Sequence, residues 1–247
     1  MKKAGLLAPP DAADFALHPR GLEMRRASTS SDWHDVRSIR YHALAARDDV
    51  EAAEDPAFGD EHDGAFNAVT MLLLRNGKPV GSTRSSASSA SRRWELPAAD
   101  VFQEEIEASI GFDATIVEMS LTLVDPACGI DPKATLFHLL KAQMLRCVSE
   151  NADWLVTAVR PPQMGFYRRM FNMEILSGEE RWPGFAIPRV LMGMDYREQA
   201  PLLFRRIPVL AVTQDDERDF LDSGVITFRE RRGGAMPRNA PALVAGD

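Results

Sequence analysis

Cysteine is nearly absent: Cys128 and Cys147 are the two among 247 residues. They have no companion Cys or His at metal-ligand spacing, so no metal site is expected, and they do not make a disulfide framework. Long apolar runs are missing too. No stretch approaches the ~20 apolar residues that cross a bilayer. Behind Met1-Lys2-Lys3, the residues Pro9, Pro10, Asp11 and Asp14 interrupt the apolar centre that a signal peptide needs. A basic excess is also lacking. Lys and Arg number 29 against 36 Asp and Glu, the net charge is −7, and no long basic face offers itself to nucleic acid. No internal repeat is present. What remains is the profile of a globular protein of a reducing cytoplasm. Apolar content is 45% and charged content 26%, in a chain long enough to bury a substantial core.

The chain is organised around residues 114–150. Thr115-Ile116-Val117-Glu118-Met119-Ser120-Leu121-Thr122-Leu123-Val124 is an apolar, β-branched run with a carboxylate in its middle, which predicts a buried strand. Asp125 to Pro132 is a turn, and a helix follows with Phe137, Leu140, Met144 and Val148 on one face. A carboxylate in such a strand, close to a helix N-terminus, would stand beside any ligand bound at that strand end.

Around this centre the other elements follow in order. Leu22 to Ala27 predicts a first, edge strand. Thr29, Ser30, Ser31 and Asp32 offer helix caps, and Val36, Ile39 and Ala43 give the next helix its apolar stripe. Residues 48–65 form an acidic loop containing Asp60-Glu61-His62-Asp63. Residues 67–75 and 79–85 are strands joined by the hairpin turn Asn76-Gly77. Ser85 to Arg93 is Ser-rich and reads as a flexible loop, followed by a short helix over 98–108. Residues 154–159 predict another buried strand, 163–171 a helix, and 173–176 and 186–195 two final strands. Beyond Tyr196, residues 201–211 read as helix or strand, 215–223 as a small helix and 225–228 as extended. This order predicts an α/β (α+β) fold, a mixed, mostly antiparallel central sheet with helices on both faces and one parallel pair in the middle. The expected boundaries are a flexible leader at 1–21, a domain at 22–196, an extension packing on it at 197–232 and a disordered tail at 233–247.

This order and several short motifs resemble the GNAT fold, in the branch that contains acyl-homoserine lactone synthases and N-acyl amino acid synthases. Gly165 to Asn172 is similar to the turn near the end of that fold. Arg37 and Tyr41 stand where the branch has an Arg and an aromatic residue four apart on the first helix. Asp60 and Asp63 match its D-x-x-D pair, Val80-Gly81-Ser82-Thr83-Arg84 its V-G-x-x-R, and Phe102 its helical Phe. Val117-Glu118-Met119-Ser120 matches its V-E-x-S-R, but Leu121 replaces the final Arg.

The resemblance implies an acyltransferase that moves a fatty acyl group from an acyl carrier protein thioester to the amine of an amino acid or related small molecule. The phosphopantetheine arm of the carrier would be the donor, with no permanently bound cofactor. Two alternatives stay open: an autoinducer synthase consuming S-adenosylmethionine, or a non-catalytic relative that binds acyl groups or carrier protein. The run before the central helix, Asp125-Pro126-Ala127-Cys128-Gly129-Ile130-Asp131-Pro132, has one Gly, two prolines and two carboxylates, a poor cradle for the coenzyme A pyrophosphate. The catalytic roles implied fall to Glu118 as base, Arg84 as its partner or as a clamp on an acceptor carboxylate, and Tyr167 as acid for the leaving thiolate. Tyr167 reads equally as a core tyrosine. Arg37, Tyr41, Asp60, Asp63, Phe102, Met119, Ser120 and Leu121 are the expected substrate contacts. Phe102, Leu121, Leu123, Phe137 and Trp154 are candidates for an acyl tunnel. Lys133, Lys141, Arg146, Arg168 and Arg169 are candidates for docking an acidic carrier protein.

Overall fold

The computed structural model describes residues 21–51, 56–91, 95–129 and 131–227. The leader and tail expected at the two ends lie outside the described residues, apart from Gly21. Eight strands form one sheet: β1 (Leu22–Arg26), β2 (Ala68–Arg75), β3 (Lys78–Ser88), β4 (Ile116–Val124), β5 (Trp154–Val159), β6 (Glu174–Glu180), β7 (Arg189–Asp195) and β8 (Val225–Thr227). Their spatial order is β6-β7-β5-β4-β3-β2-β1-β8. Every neighbouring pair is antiparallel except β4 and β5.

Helices α1 (Ser30–Ala45), α2 (Ala99–Ser109), α3 (Pro132–Ser149), α4 (Met164–Phe171), α5 (Tyr196–Arg206) and α6 (Gln214–Ser223) cover both faces. The strand alternation of β2 sorts them. Met71 and Leu73 join the core beneath α3, whereas Leu72 and Leu74 pack with Val36 and Ile39 of α1 on the opposite face. Among the described residues, no helix is long and apolar enough to cross a membrane.

Local chemistry explains the ends of several elements. Thr29 and Asp32 close a capping box on α1: Asp32 N–H donates to Thr29 Oγ1 at 3.1 Å, and Thr29 N–H to Asp32 Oδ2 at 3.0 Å. Asn76 and Gly77 both have positive φ, +50° and +76°, which the tight β2–β3 hairpin requires. Gly81 lets α3 sit close to the sheet, because a Cβ there would lie 3.0 Å from Leu123 O and from Leu139 Cδ1.

Three expectations need correction. Ser85 to Ser88 is not a flexible loop. It continues β3, with Ser85, Ser86 and Ser88 buried and paired to Met119, Glu118 and Ile116 of β4. Tertiary pairing overrides the turn preference of serine here. The first strand is not an edge, because β8 pairs with it from outside. Residues 201–211 are neither one helix nor one strand. They finish α5, which carries Pro201 in its interior, and then make a single 3-10 turn at Pro208–Leu210.

Candidate active site

β4 and β5 are joined by a short ladder, Ile116–Glu118 against Trp154–Val156. Beyond Glu118 and Val156 the two strands part. The cause lies in β4, where Leu121 and Thr122 together oppose Thr83 of β3, a bulge that bends the strand. Leu121 sits in the left-handed region at φ +47°, a conformation that costs a leucine roughly 1–2 kcal/mol. Leu121→Gly is therefore expected to be less destabilising than Leu121→Val, by about 1 kcal/mol or more. In a regular strand the order would reverse, and denaturant midpoints of the two variants decide between them.

The parted strands border a cleft of about 80 Å³, room for a few waters. Asp60, Arg84, Glu118, Met119, Ser120, Leu121 and Tyr167 line it, as do Leu44, Arg47, Asp49, Arg160, Trp182, Phe185 and Arg189. Glu118 is fully buried near its apex, on the last rung of the ladder. Its Oε2 accepts from the Ala98 N–H, just before α2, at 2.7 Å, while its Oε1 has no hydrogen-bond partner among the described residues. Burial pushes its carboxyl up to about 7, although the Ala98 N–H and the nearby Arg84 charge both pull it down.

Arg84 does not hydrogen-bond Glu118. It pairs bidentately with Asp60, Nη2 to Oδ2 at 3.0 Å, reaches Asp63 Oδ1 at 3.1 Å and gives its Nε to Ser120 Oγ at 3.1 Å. Asp63 in turn accepts from Arg40 Nη1 with both oxygens, at 2.8 and 2.7 Å. Two buried arginines and two less buried aspartates, Asp60 partly exposed, thus form one network. Burial raises the Asp60 carboxyl, but the Arg84 hydrogen bond and charge outweigh it and hold the group below its ordinary value. His62 ties the same loop to α2, its Nε2 lying 2.7 Å from Asp100 Oδ2. With its donors committed to Asp60, Asp63 and Ser120, Arg84 has no free fork for an acceptor carboxylate.

Tyr167 is buried, with Phe171 stacked on it at 6.0 Å and Phe166 edge-on at 5.1 Å. Its ring is part of the main core, as the alternative reading of this residue expected, while its hydroxyl has no hydrogen-bond partner among the described residues. Burial pushes the phenol up to about 12, with Arg47 pulling the other way.

Several expected contacts lie elsewhere. Arg37 is exposed and borders a separate open groove with Trp33, His34 and Ser38. Tyr41 is half-buried against His42 and does not line the cleft. Phe102 is fully buried in a satellite core with Ile116 and Val156, and Trp154 packs against that core. Phe137 belongs to the main core, so of the tunnel candidates only Leu121 and Leu123 face the cleft. Lys141 is spoken for by Asp216 of α6 at 2.8 Å. Arg146 is held by Glu150 at 3.0 Å and by the Asn67 carbonyl at 3.0 Å. Both charges are thus already engaged within the fold. Lys133, Arg168 and Arg169 are exposed.

Sequence reasoning missed Arg40, although a signal was present. Arg40 is four residues after Val36, inside the apolar stripe that Val36, Ile39 and Ala43 define. It also missed Arg47, Asp49, Arg160 and Arg189, which gather from separate elements and leave no local pattern.

Residues 35–195 match the family described as "N-acyl amino acid synthase FeeM". Three solved structures are similar. FeeM, an N-acyl amino acid synthase from uncultured soil microbes, has a TM-score of 0.57 at 16% identity, over 74% of this chain and 96% of that one. The acyl-homoserine lactone synthase LasI has a TM-score of 0.56 at 14% identity, over 78% and 97%. The CoA-dependent acyl-homoserine lactone synthase BjaI, solved with MTA, has a TM-score of 0.51 at 16% identity, over 75% and 88%. No curated protein matches the chain.

Proposed function

Since the chain belongs to the FeeM family of N-acyl amino acid synthases and is an acyltransferase, we propose that it moves a fatty acyl group from an acyl carrier protein thioester to the amine of an amino acid. The observation that carries this reading is Glu118: a fully buried carboxyl with one oxygen unpaired among the described residues, beside the place where β4 and β5 part. With its pKa raised to about 7, it is a base matched to neutral pH. The amine nitrogen attacks the thioester carbonyl and the N–C bond forms. The amine proton passes to Glu118, directly or through one water. The C–S bond breaks, and the thiolate leaves with a proton from Tyr167. Backbone N–H groups beyond the short ladder, which lack a partner on β5, stabilise the oxyanion.

The donor side supports a protein-borne arm over free coenzyme A. An anion at the start of α3 would need its N–H groups, yet Asp131 already caps it there, and its carboxylate would repel such an anion. Its Oδ1 accepts from Lys133 N at 2.9 Å and its carbonyl from Thr135 N at 3.1 Å. Asp125 takes the Ala127 N–H at 2.9 Å in the same way. Arg168 and Arg169 lie on α4 next to Tyr167, so an acidic carrier docked there, with Lys133 contributing, would present its arm to the cleft.

Incubation of the purified protein with acyl-loaded carrier protein and a mixture of amino acids should release free carrier thiol and form an N-acyl amino acid by mass spectrometry. Calorimetry with coenzyme A should show no tight binding. Thiol release without any acylated amine would overturn the reading. Tight coenzyme A binding would overturn the choice of donor.

A further inference from the structure

At the rim of the cleft, three arginines face one carboxylate. Arg189 and Asp49 neutralise each other: Nη2 lies 2.7 Å from Asp49 Oδ2, Nη1 donates to Ile187 O at 2.9 Å, and the guanidinium sits 4.1 Å from the centre of the Phe185 ring. That leaves Arg160 and Arg47. Arg160 Nε is 3.8 Å from Asp49 Oδ2, and its Nη1 reaches only the Arg47 carbonyl, at 3.4 Å. The Arg47 guanidinium has no hydrogen bond or ion pair among the described residues. Both side chains line the cleft. Two like charges held at one mouth are costly until an anion shares them, and guanidinium forks fit a carboxylate in particular. Partial burial and the charge of Arg160 accordingly lower the pKa of Arg47.

The same cleft holds the buried Glu118 carboxyl, whereas Asp60 beside it is already neutralised by Arg84. A cleft that offers two guanidiniums together with the Glu118 carboxyl suits a zwitterion. We propose that Arg47 and Arg160 hold the carboxylate of the acceptor, selecting amino acids over simple amines while the amine end lies toward Glu118. This assignment rests on the N-acyl transfer reading and gives the acceptor clamp to residues other than Arg84 and Arg37. Trp182 and Phe185, which also line the cleft, would border the side chain of such an acceptor.

Matched acceptors test it: L-phenylalanine against phenethylamine, and L-leucine against isoamylamine, each with acyl-loaded carrier protein. The wild type should prefer the amino acid of each pair. Arg47→Met and Arg160→Met should each raise the KM for the amino acid by about tenfold or more, leaving the KM for the amine and for the donor unchanged, and Arg47→Lys should restore part of the loss. Arg47 makes no ion pair among the described residues, so Arg47→Met should keep the wild-type melting temperature. Equal losses on amino acid and amine, or a rise confined to the donor KM, would overturn the assignment, the latter pointing to the phosphate of the donor arm. A wild type that acylates no amine at all removes the parent reading as well. One that acylates both members of each pair equally, with variants unchanged, removes this inference alone.

Discussion

Glu118→Gln should lower kcat/KM for N-acyl transfer by about 10²–10⁴-fold without unfolding the protein. The amide keeps an oxygen to accept the Ala98 N–H but cannot take a proton from the attacking amine. The pH dependence identifies the role. With the Glu118 carboxyl at about 7, wild-type kcat/KM should rise as pH increases through 7, where the carboxylate forms, and the variant should lack that limb. Stability moves the opposite way. The folded state keeps the proton up to about 7, whereas an ordinary glutamate loses it at 4.5. Between these values the folded state binds more protons than the unfolded state, so stability falls as pH rises and then levels off, a span of ~3 kcal/mol. The neutral amide of Glu118→Gln carries no such penalty, so the variant should gain on the wild type from pH 4.5 to 8. Asp60 and Asp216, held below their ordinary values by Arg84 and Lys141 against the pull of burial, lose their contribution in acid in both proteins. They cancel in the difference. A variant with undiminished turnover, or one that retains the limb near pH 7, would eliminate Glu118 as the base.

Arg40→Met should be the costliest single change in this network, destabilising the fold by about 3–5 kcal/mol. Arg40 is fully buried and gives both oxygens of Asp63 a hydrogen bond. Without it, Asp60 and Asp63 share Arg84 alone, and one buried negative charge goes uncompensated. Arg37→Met, on the exposed face of the same helix, should change stability by no more than about 0.5 kcal/mol. Adding Asp63→Asn to Arg40→Met should recover part of the loss, which a double-mutant cycle in urea would measure. If Arg40→Met and Arg37→Met unfold at the same midpoint, Arg40 is not the counter-charge that the geometry describes.

How much of this was legible beforehand depended on whether the signal was local. The Thr29–Asp32 cap, the Asn76-Gly77 turn, the apolar stripes of α1 and α3 and the buried run around Glu118 are written in neighbouring residues, and each took the form expected. Ser85 to Ser88 misled because serine is neutral about strands, and the strand exists there by virtue of β4. Choosing Arg37 over Arg40 was an error of helical phase: the spacing to an aromatic residue matched, but the burial stripe pointed to Arg40. The Arg47, Asp49, Arg160 and Arg189 cluster was out of reach. Asp49 and Arg189 are 140 residues apart, and nothing in one sequence marks such a pair. The cap of β8 over β1 was hidden for the same reason.

At the other border of the sheet, β6 has no outer neighbour among the described strands. It carries Glu174, Glu179 and Glu180, all exposed, and its register against β7 slips between Ile175 and Glu179. Two copies approaching along this border would bring carboxylates face to face on an uneven ladder, and the repulsion would oppose the main-chain bonding that a bare strand invites. This margin therefore works as an electrostatic fender, set against the growth of the protein into ribbons of itself.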